Sequence, residues 1–208
     1  MRILTADDHL IVRKGLQLII AWRPDWVIAA EASNVTELFD ALAGGTFDVL
    51  VLDLRLHGES GIEILGRVRR EYPQLPVLML SSHPEEQYAL HALRAGAGGY
   101  VQKDASAEEI LEALERVAAG RRWVSSALAE QLANELASPV ERRPHERLSL
   151  RELEVFRRLA IGESVTSIAK AMNLSVKTIS TYRGRILEKT GFHTNADIVA
   201  YAIRNNLL

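Results

Sequence analysis

Five times in the first 120 residues a short apolar, β-rich run alternates with a helical pattern, and few folds accommodate that rhythm. The runs are Ile3–Ala6, Trp26–Ala30, Val49–Asp53, Val77–Ser81 and Gly99–Val101. Between them, Val12, Leu16, Ile19 and Ile20 share one helix face. Ile62, Leu65 and Val68 share another, and Ile110, Leu111, Leu114 and Val117 a third. Such alternation predicts an α/β fold, a five-stranded doubly wound parallel sheet with helices on both faces. Val49-Leu50-Val51-Leu52 is apolar at every position, as a strand covered on both sides requires.

In an open parallel sheet, function gathers at the carboxyl ends of the strands. The first run ends in Asp7-Asp8, the third in Asp53 and the fourth in Ser81-Ser82, and Lys103 closely follows the fifth. Three carboxylates, a hydroxyl and an ammonium therefore converge. Clustered carboxylates repel one another, and a divalent cation relieves the repulsion; oxygen ligands suit Mg²⁺, which keeps waters and shares phosphate oxygens. An Asp carboxylate is a feasible nucleophile towards a phosphoryl group, with a lysine to neutralise the transferring charge. Taken singly, these residues have ordinary readings. Asp7 and Asp8 would cap the helix from Leu10, Asp53 would be a turn residue, Lys103 a solvated lysine and Tyr100 an edge-strand aromatic. His9 and His83 are best read as structural polar groups. It is the set, in this order and at strand ends, that points to chemistry.

Residues 1–120 resemble the receiver domain of two-component signalling, a flavodoxin-like fold. The resemblance is carried by Ala6-Asp7-Asp8-His9, Val51-Leu52-Asp53-Leu54, Gly61, Leu80-Ser81-Ser82 and Gly96-Ala97-Gly98-Gly99-Tyr100-Val101-Gln102-Lys103. It implies that Asp53 is the phosphoacceptor. Asp8 is then a direct ligand of Mg²⁺ (or Mn²⁺), Asp7 a ligand or its water-mediated neighbour, and the Arg55 backbone carbonyl completes the protein's share. Ser81 would be the switch hydroxyl, Tyr100 the aromatic that reorients with it, and Lys103 the phosphate partner. His57 stands where such domains usually carry proline, which predicts a less rigid loop after the phosphoacceptor.

After the helix ending at Gly120 comes a connector, 121–145. Leu128, Leu132 and Leu136 recur there at helical spacing before Ser138-Pro139 and Arg142-Arg143-Pro144 break the pattern. A short helix and a mobile, charged linker are expected. Residues 146–208 read as four helices. Ser149-Leu150-Arg151-Glu152 is a capping box, Ser164 and Ser175 cap the next two helices, and Thr194 or Asn195 caps the last. Asn173-Leu174 makes the tight turn of a helix-turn-helix. In the helix Val176–Lys189, Ile179, Ile186 and Leu187 should face inward. Lys177, Ser180, Thr181, Arg183, Gly184 and Arg185 lie largely on the other side, where Lys and Arg suit phosphates and hydroxyls suit base edges.

This stretch resembles the DNA-binding domain of NarL/FixJ (LuxR-type) regulators. The carrying residues are Leu148-Ser149, Arg151-Glu152, Glu154-Val155, Ile168-Ala169, Leu174-Ser175, the run Lys177 to Arg183 and Ile186-Leu187-Glu188-Lys189-Thr190-Gly191. By position, Ser180, Thr181 and Gly184 fall where members reach bases, and Lys177, Thr178, Tyr182, Arg183, Arg185 and Lys189 near the backbone. Tyr182 replaces a histidine often found there, and Gly184 removes one base-reading side chain. The resemblance implies domains at 1–120 and 146–208, double-stranded DNA with a palindromic operator, a sensor histidine kinase, a homodimer with the last helix as a candidate contact, and RNA polymerase as a further partner.

Charge agrees with two jobs. Residues 1–120 carry 11 Lys+Arg against 18 Asp+Glu, and residues 146–208 carry 10 against 6. With no cysteine, thiol chemistry and disulfides are excluded. No apolar run reaches membrane-span length and no signal peptide is expected at Met1-Arg2-Ile3-Leu4, so a cytoplasmic protein is anticipated. A phosphatase of the Asp-x-Asp type would need an acid where Arg55 stands, and no glycine-rich dinucleotide fingerprint follows the first strand. The chain is therefore not expected to be a turnover enzyme. The remaining rival is a phosphorylation-independent DNA-binding regulator controlled by a partner protein.

Overall fold

The computed structural model describes residues 1–82, 85–137, 143–205 and 207. His83 and the expected break at 138–142 lie outside the described residues. The chain divides into two compact units, Met1–Ala137 and Ser138–Leu208.

The first unit runs β1 (Arg2–Ala6), α1 (Leu10–Ile20), β2 (Val27–Ala32), α2 (Val35–Gly44), β3 (Val49–Asp53), β4 (Arg55–Leu56), β5 (Glu59–Ser60), α3 (Gly61–Glu71), β6 (Val77–Ser81), α4 (Glu85–Arg94), β7 (Gly99–Gln102), α5 (Ala107–Ala118) and α6 (Ser126–Ala137). Five strands form one parallel sheet in the order β2-β1-β3-β6-β7. The order reverses at β1 and β3, where β1 sits between β2 and β3. This reversal is the switch point at which doubly wound sheets bind ligands. Every residue of β3 and β6 is buried, so their unbroken apolar sequence follows from cover on both faces.

The pleat divides these side chains by parity. Ile3, Val49, Val51, Leu78, Leu80 and Val101 form one core with Leu16 and Ile20 of α1 and Ile110, Leu114 and Val117 of α5. Leu4, Leu50, Leu52, Met79 and Tyr100 alternate with them, and all are buried. α5 begins at a complete capping box, Ser106 with Glu109. The chain does not leave the unit after α5. The Trp123 N–H donates to the Gly98 carbonyl at 3.0 Å, Trp123 bridges Gly99 in parallel, and its side chain is buried in the α1/α5 core. Leu128 of α6 is also buried.

The second unit comprises a 3₁₀ turn (Pro144–Arg147) and α7 (Leu150–Ala160), α8 (Val165–Ala171), α9 (Val176–Thr190) and α10 (Asn195–Arg204). Ser149, Ser164, Ser175 and Thr194 each accept a hydrogen bond from a first-turn N–H, so each helix begins at the hydroxyl residue that its sequence offers. Asn173 has φ of 54° in the turn between α8 and α9. Phe156, Leu159, Ile168, Ile179, Ile186, Ile198 and Ala202 close a core separate from that of the first unit.

Candidate functional site

The carboxyl edge of the sheet gathers the predicted acidic set. Asp7 and Asp8 follow β1 and Asp53 ends β3; Asp7 is 2% exposed and Asp53 5%. Lys103, just past β7, reaches Asp7 Oδ2 at 2.7 Å and Asp53 Oδ2 at 2.8 Å. Its backbone N–H donates to the Ser81 carbonyl at 2.8 Å, tying the lysine to the end of β6. Burial raises the Asp53 pKa against the lowering effect of Lys103, with Asp7 adding to the rise. Burial also works against the Lys103 charge, yet its bonds to Asp53 and Asp7 outweigh that and hold its pKa above the ordinary value. Ser81 ends β6 and Tyr100 lies within the neighbouring β7, and both are fully buried.

The ordinary reading of Asp7 and Asp8 as caps does not hold. The N-cap of α1 is His9, with no side-chain capping bond. Asp7 Oδ1 instead accepts from the His9 N–H at 2.8 Å. The Asp7 carbonyl accepts from Arg13 Nη1 at 2.6 Å, while Arg13 Nε pairs with Glu31 at 3.1 Å. Arg13 thus fixes the backbone beside the cluster, a positioning role its place inside a helix does not advertise.

The loop after Asp53 also departs from expectation. β4 and β5 pair antiparallel, and the two residues between them, His57 and Gly58, have φ of 49° and 86°. Two positive φ values are what a tight two-residue hairpin needs, and proline, locked near −65°, is incompatible with them. The His57 N–H donates to Asp8 Oδ2 at 3.2 Å, a bond proline lacks. Histidine here therefore accompanies a paired hairpin whose backbone proline could not adopt. Gly61 is required for contact: a Cβ there would lie 2.1 Å from the Asp53 carbonyl oxygen and 2.8 Å from Leu54 Cα. The Arg55 N–H donates to Asp53 Oδ1 at 3.3 Å.

The chemistry of the donors fits a divalent cation. Asp7, Asp8, His9 and Asp53 each offer a ligand atom, all within 4.8 Å of one another. Asp7 Oδ2 and Asp8 Oδ1 are buried yet accept no well-formed hydrogen bond; their close neighbours are Lys103 and His9.

In the second unit, α9 turns Lys177, Ser180, Thr181, Gly184 and Arg185 outward, and buries Ile179 and Ile186. The rest of the predicted set is less free. Thr178 and Arg183 are half-buried, and Arg183 Nε donates to Asn195 at 2.6 Å. Tyr182 packs against the core. Lys189 donates to Glu152 Oε2 at 2.7 Å, on a carboxylate that is 3% exposed. Burial opposes the Glu152 charge, but Lys189 and the Ser149 N–H hold its pKa below the usual range. The Ser180 and Thr181 hydroxyls donate back to the Val176 and Lys177 carbonyls.

Residues 3–115 match the response regulator receiver domain, and residues 146–202 match the bacterial regulatory proteins of the luxR family. The oxygen regulatory protein NreC of Staphylococcus aureus (strain JH9) is 33% identical over 215 residues, spanning 100% of this chain and 99% of that protein. The RcsB response regulator of Salmonella typhimurium superposes with a TM-score of 0.70 at 26% identity, over 97% of this chain and 96% of that one. RcsB from Salmonella enterica serovar Typhimurium bound to promoter rprA with the phosphomimetic BeF3- gives a TM-score of 0.67 at 27% identity, over 97% and 98%. Among the described residues, no helix is long and apolar enough to cross a membrane.

Proposed function

Because this chain belongs to the two-component response regulators of the NarL/FixJ type, a receiver domain joined to a luxR-family DNA-binding domain, we propose that Asp53 is its phosphoacceptor and that phosphorylation there governs promoter binding by α9. The observation that carries the proposal is the buried Lys103 bridging Asp7 and Asp53 at 2.7 and 2.8 Å. A carboxylate with a raised pKa is a better nucleophile, and a fixed ammonium beside it favours the negative charge that arrives.

An Asp53 oxygen attacks the phosphorus of a sensor kinase's phosphohistidine. The new O–P bond forms as the P–N bond breaks, and the imidazole leaves. A divalent cation, Mg²⁺ or Mn²⁺, would be held by Asp8, Asp53 and the Arg55 carbonyl, with Asp7 direct or through water, and would supply positive charge to neutralise the phosphoryl oxygens. Lys103 then turns to the phosphate, Ser81 donates its hydroxyl to it, and Tyr100 follows Ser81, biasing a two-state receiver. The receiver is assigned to 1–120, the connector to 121–145 and the DNA-binding domain to 146–208, with the first part of the connector, through Trp123 and Leu128, packed in the same compact unit as the receiver. Lys177, Thr178, Tyr182, Arg183, Arg185 and Lys189 serve the DNA backbone, and Ser180, Thr181 and Gly184 approach the bases. Two copies reading half-sites of a palindromic operator would place α10 at a dimer contact and bring RNA polymerase within reach. The family regulates transcription and is not one of turnover enzymes.

Treatment with phosphoramidate or acetyl phosphate and Mg²⁺, read by intact mass, tests the acceptor. Wild type should gain one phosphoryl group that is labile to base, and Asp53→Asn should gain none. Equal uptake by the variant would move the acceptor elsewhere.

A further inference from the structure

We infer that His9 is a nitrogen ligand of the receiver's cation, giving this site a stronger preference for transition-series divalent ions over Mg²⁺ than an all-oxygen site has. The inference rests on the reading of Asp8 and Asp53 as cation ligands. It adds a residue from outside the acidic set.

The His9 side chain is 63% exposed, so packing does not force its rotamer, yet the ring turns into the cluster. Nδ1 lies 2.8 Å from Asp8 Oδ1, 3.2 Å from Asp7 Oδ1 and 3.9 Å from Asp53 Oδ2. In an octahedron with bonds of about 2.1 Å, adjacent ligands lie about 3.0 Å apart and opposed ones about 4.2 Å. The first two separations match adjacent positions and the third approaches an opposed one. An imidazole nitrogen there completes a shell that the carboxylates begin.

Charge points the same way. Among the described residues, three carboxylates face one ammonium, Lys103. A divalent ion restores neutrality with the imidazole uncharged, the form in which histidine ligates metals. The backbone holds His9 in place for this: its N–H is bound by Asp7 Oδ1, and its own carbonyl accepts from the N–H groups of Val12 and Arg13 at 3.1 and 3.2 Å. Imidazole suits Co²⁺, Ni²⁺ and Zn²⁺, while Mg²⁺ favours oxygen and water. His9 should therefore strengthen binding of the former and leave Mg²⁺ nearly unaffected.

The test uses the untagged full chain as wild type, His9→Gln and Asp8→Asn. Each is loaded with Mn²⁺ for electron spin-echo envelope modulation, and titrated with Co²⁺ and Mg²⁺ by calorimetry. Circular dichroism confirms that each variant is folded. A directly coordinated ¹⁴N is expected on Mn²⁺ in the wild type and not in His9→Gln. Co²⁺ affinity should fall at least about tenfold in His9→Gln, with Mg²⁺ affinity within about twofold. Mn²⁺ bound to the wild type without ¹⁴N coupling would overturn the inference, leaving His9 as an ion-pair partner of Asp8 and the oxygen site intact. If wild type binds none of the three ions, or Asp8→Asn binds them unchanged, the cation site itself is misplaced and the inference falls with it.

Discussion

Single residues here do more than one job, and Glu152 shows the cost of reading them one at a time. It closes the capping box of α7 with Ser149 and also receives Lys189 from α9 at 2.7 Å. Glu152→Gln keeps the box, since Gln also suits that position, but removes the ion pair. Because Lys189 is 42% exposed, solvent screens the pair, and a loss of only about 1 kcal/mol is expected at neutral pH. The folded-state pKa of Glu152 lies below its unfolded value. The contribution is therefore complete above the ordinary glutamate range and disappears as pH falls through the lowered value. Urea unfolding of wild type and variant should show a gap at neutral pH that closes towards acid; a gap that persists would mean the amide perturbs the cap itself. The same pairing means that Lys189 reaches a phosphate only by leaving a buried carboxylate, whereas Lys177 and Arg185 stand exposed on α9.

At the scale of elements, α9 carries a glycine in an exposed helical position, where a Cβ would meet nothing within 4 Å. Gly184→Ala should stabilise the second unit by about 0.5–1 kcal/mol through helix propensity alone. If the backbone there comes close to DNA, the added methyl should weaken binding by about tenfold, or about 1.4 kcal/mol. Thermal unfolding and fluorescence anisotropy on one promoter fragment read both effects, and stabilisation with unchanged affinity would show that the glycine is not a contact point. Elements of this kind were largely legible beforehand. The strands β3 and β6 follow from unbroken apolar runs, and the helices of the second unit begin at Ser149, Ser164, Ser175 and Thr194 as their hydroxyls predict. Asp7, Asp8, Asp53 and Lys103 were readable because strand ends must converge in a parallel sheet. What resisted reading depends on geometry that periodicity does not encode. The β4–β5 hairpin needs a non-glycine residue at φ of 49°, Arg13 reaches back across one turn to the Asp7 carbonyl, and His9 selects a rotamer that turns inward.

At the scale of the whole molecule, two separate cores and opposite charge balances divide the labour. A cation bound only at the carboxyl edge of the sheet stabilises only the unit that holds it. At about a hundredfold excess over its dissociation constant, Mg²⁺ should add about 2.7 kcal/mol to that unit. Scanning calorimetry should show two transitions, one moving with Mg²⁺ and one stationary, and Asp8→Asn should abolish the movement. A single transition shifting as a whole would mean that the two cores unfold together. Trp123, fastened to β7 and buried beside α1 and α5, has a consequence of another kind. It and the other two tryptophans, Trp22 and Trp26, all lie in the first unit. Excited at wavelengths too long for tyrosines such as Tyr182 and Tyr201 to absorb, the chain therefore glows at one end only, and a change in that glow when a promoter fragment is added is news relayed from the end that is dark.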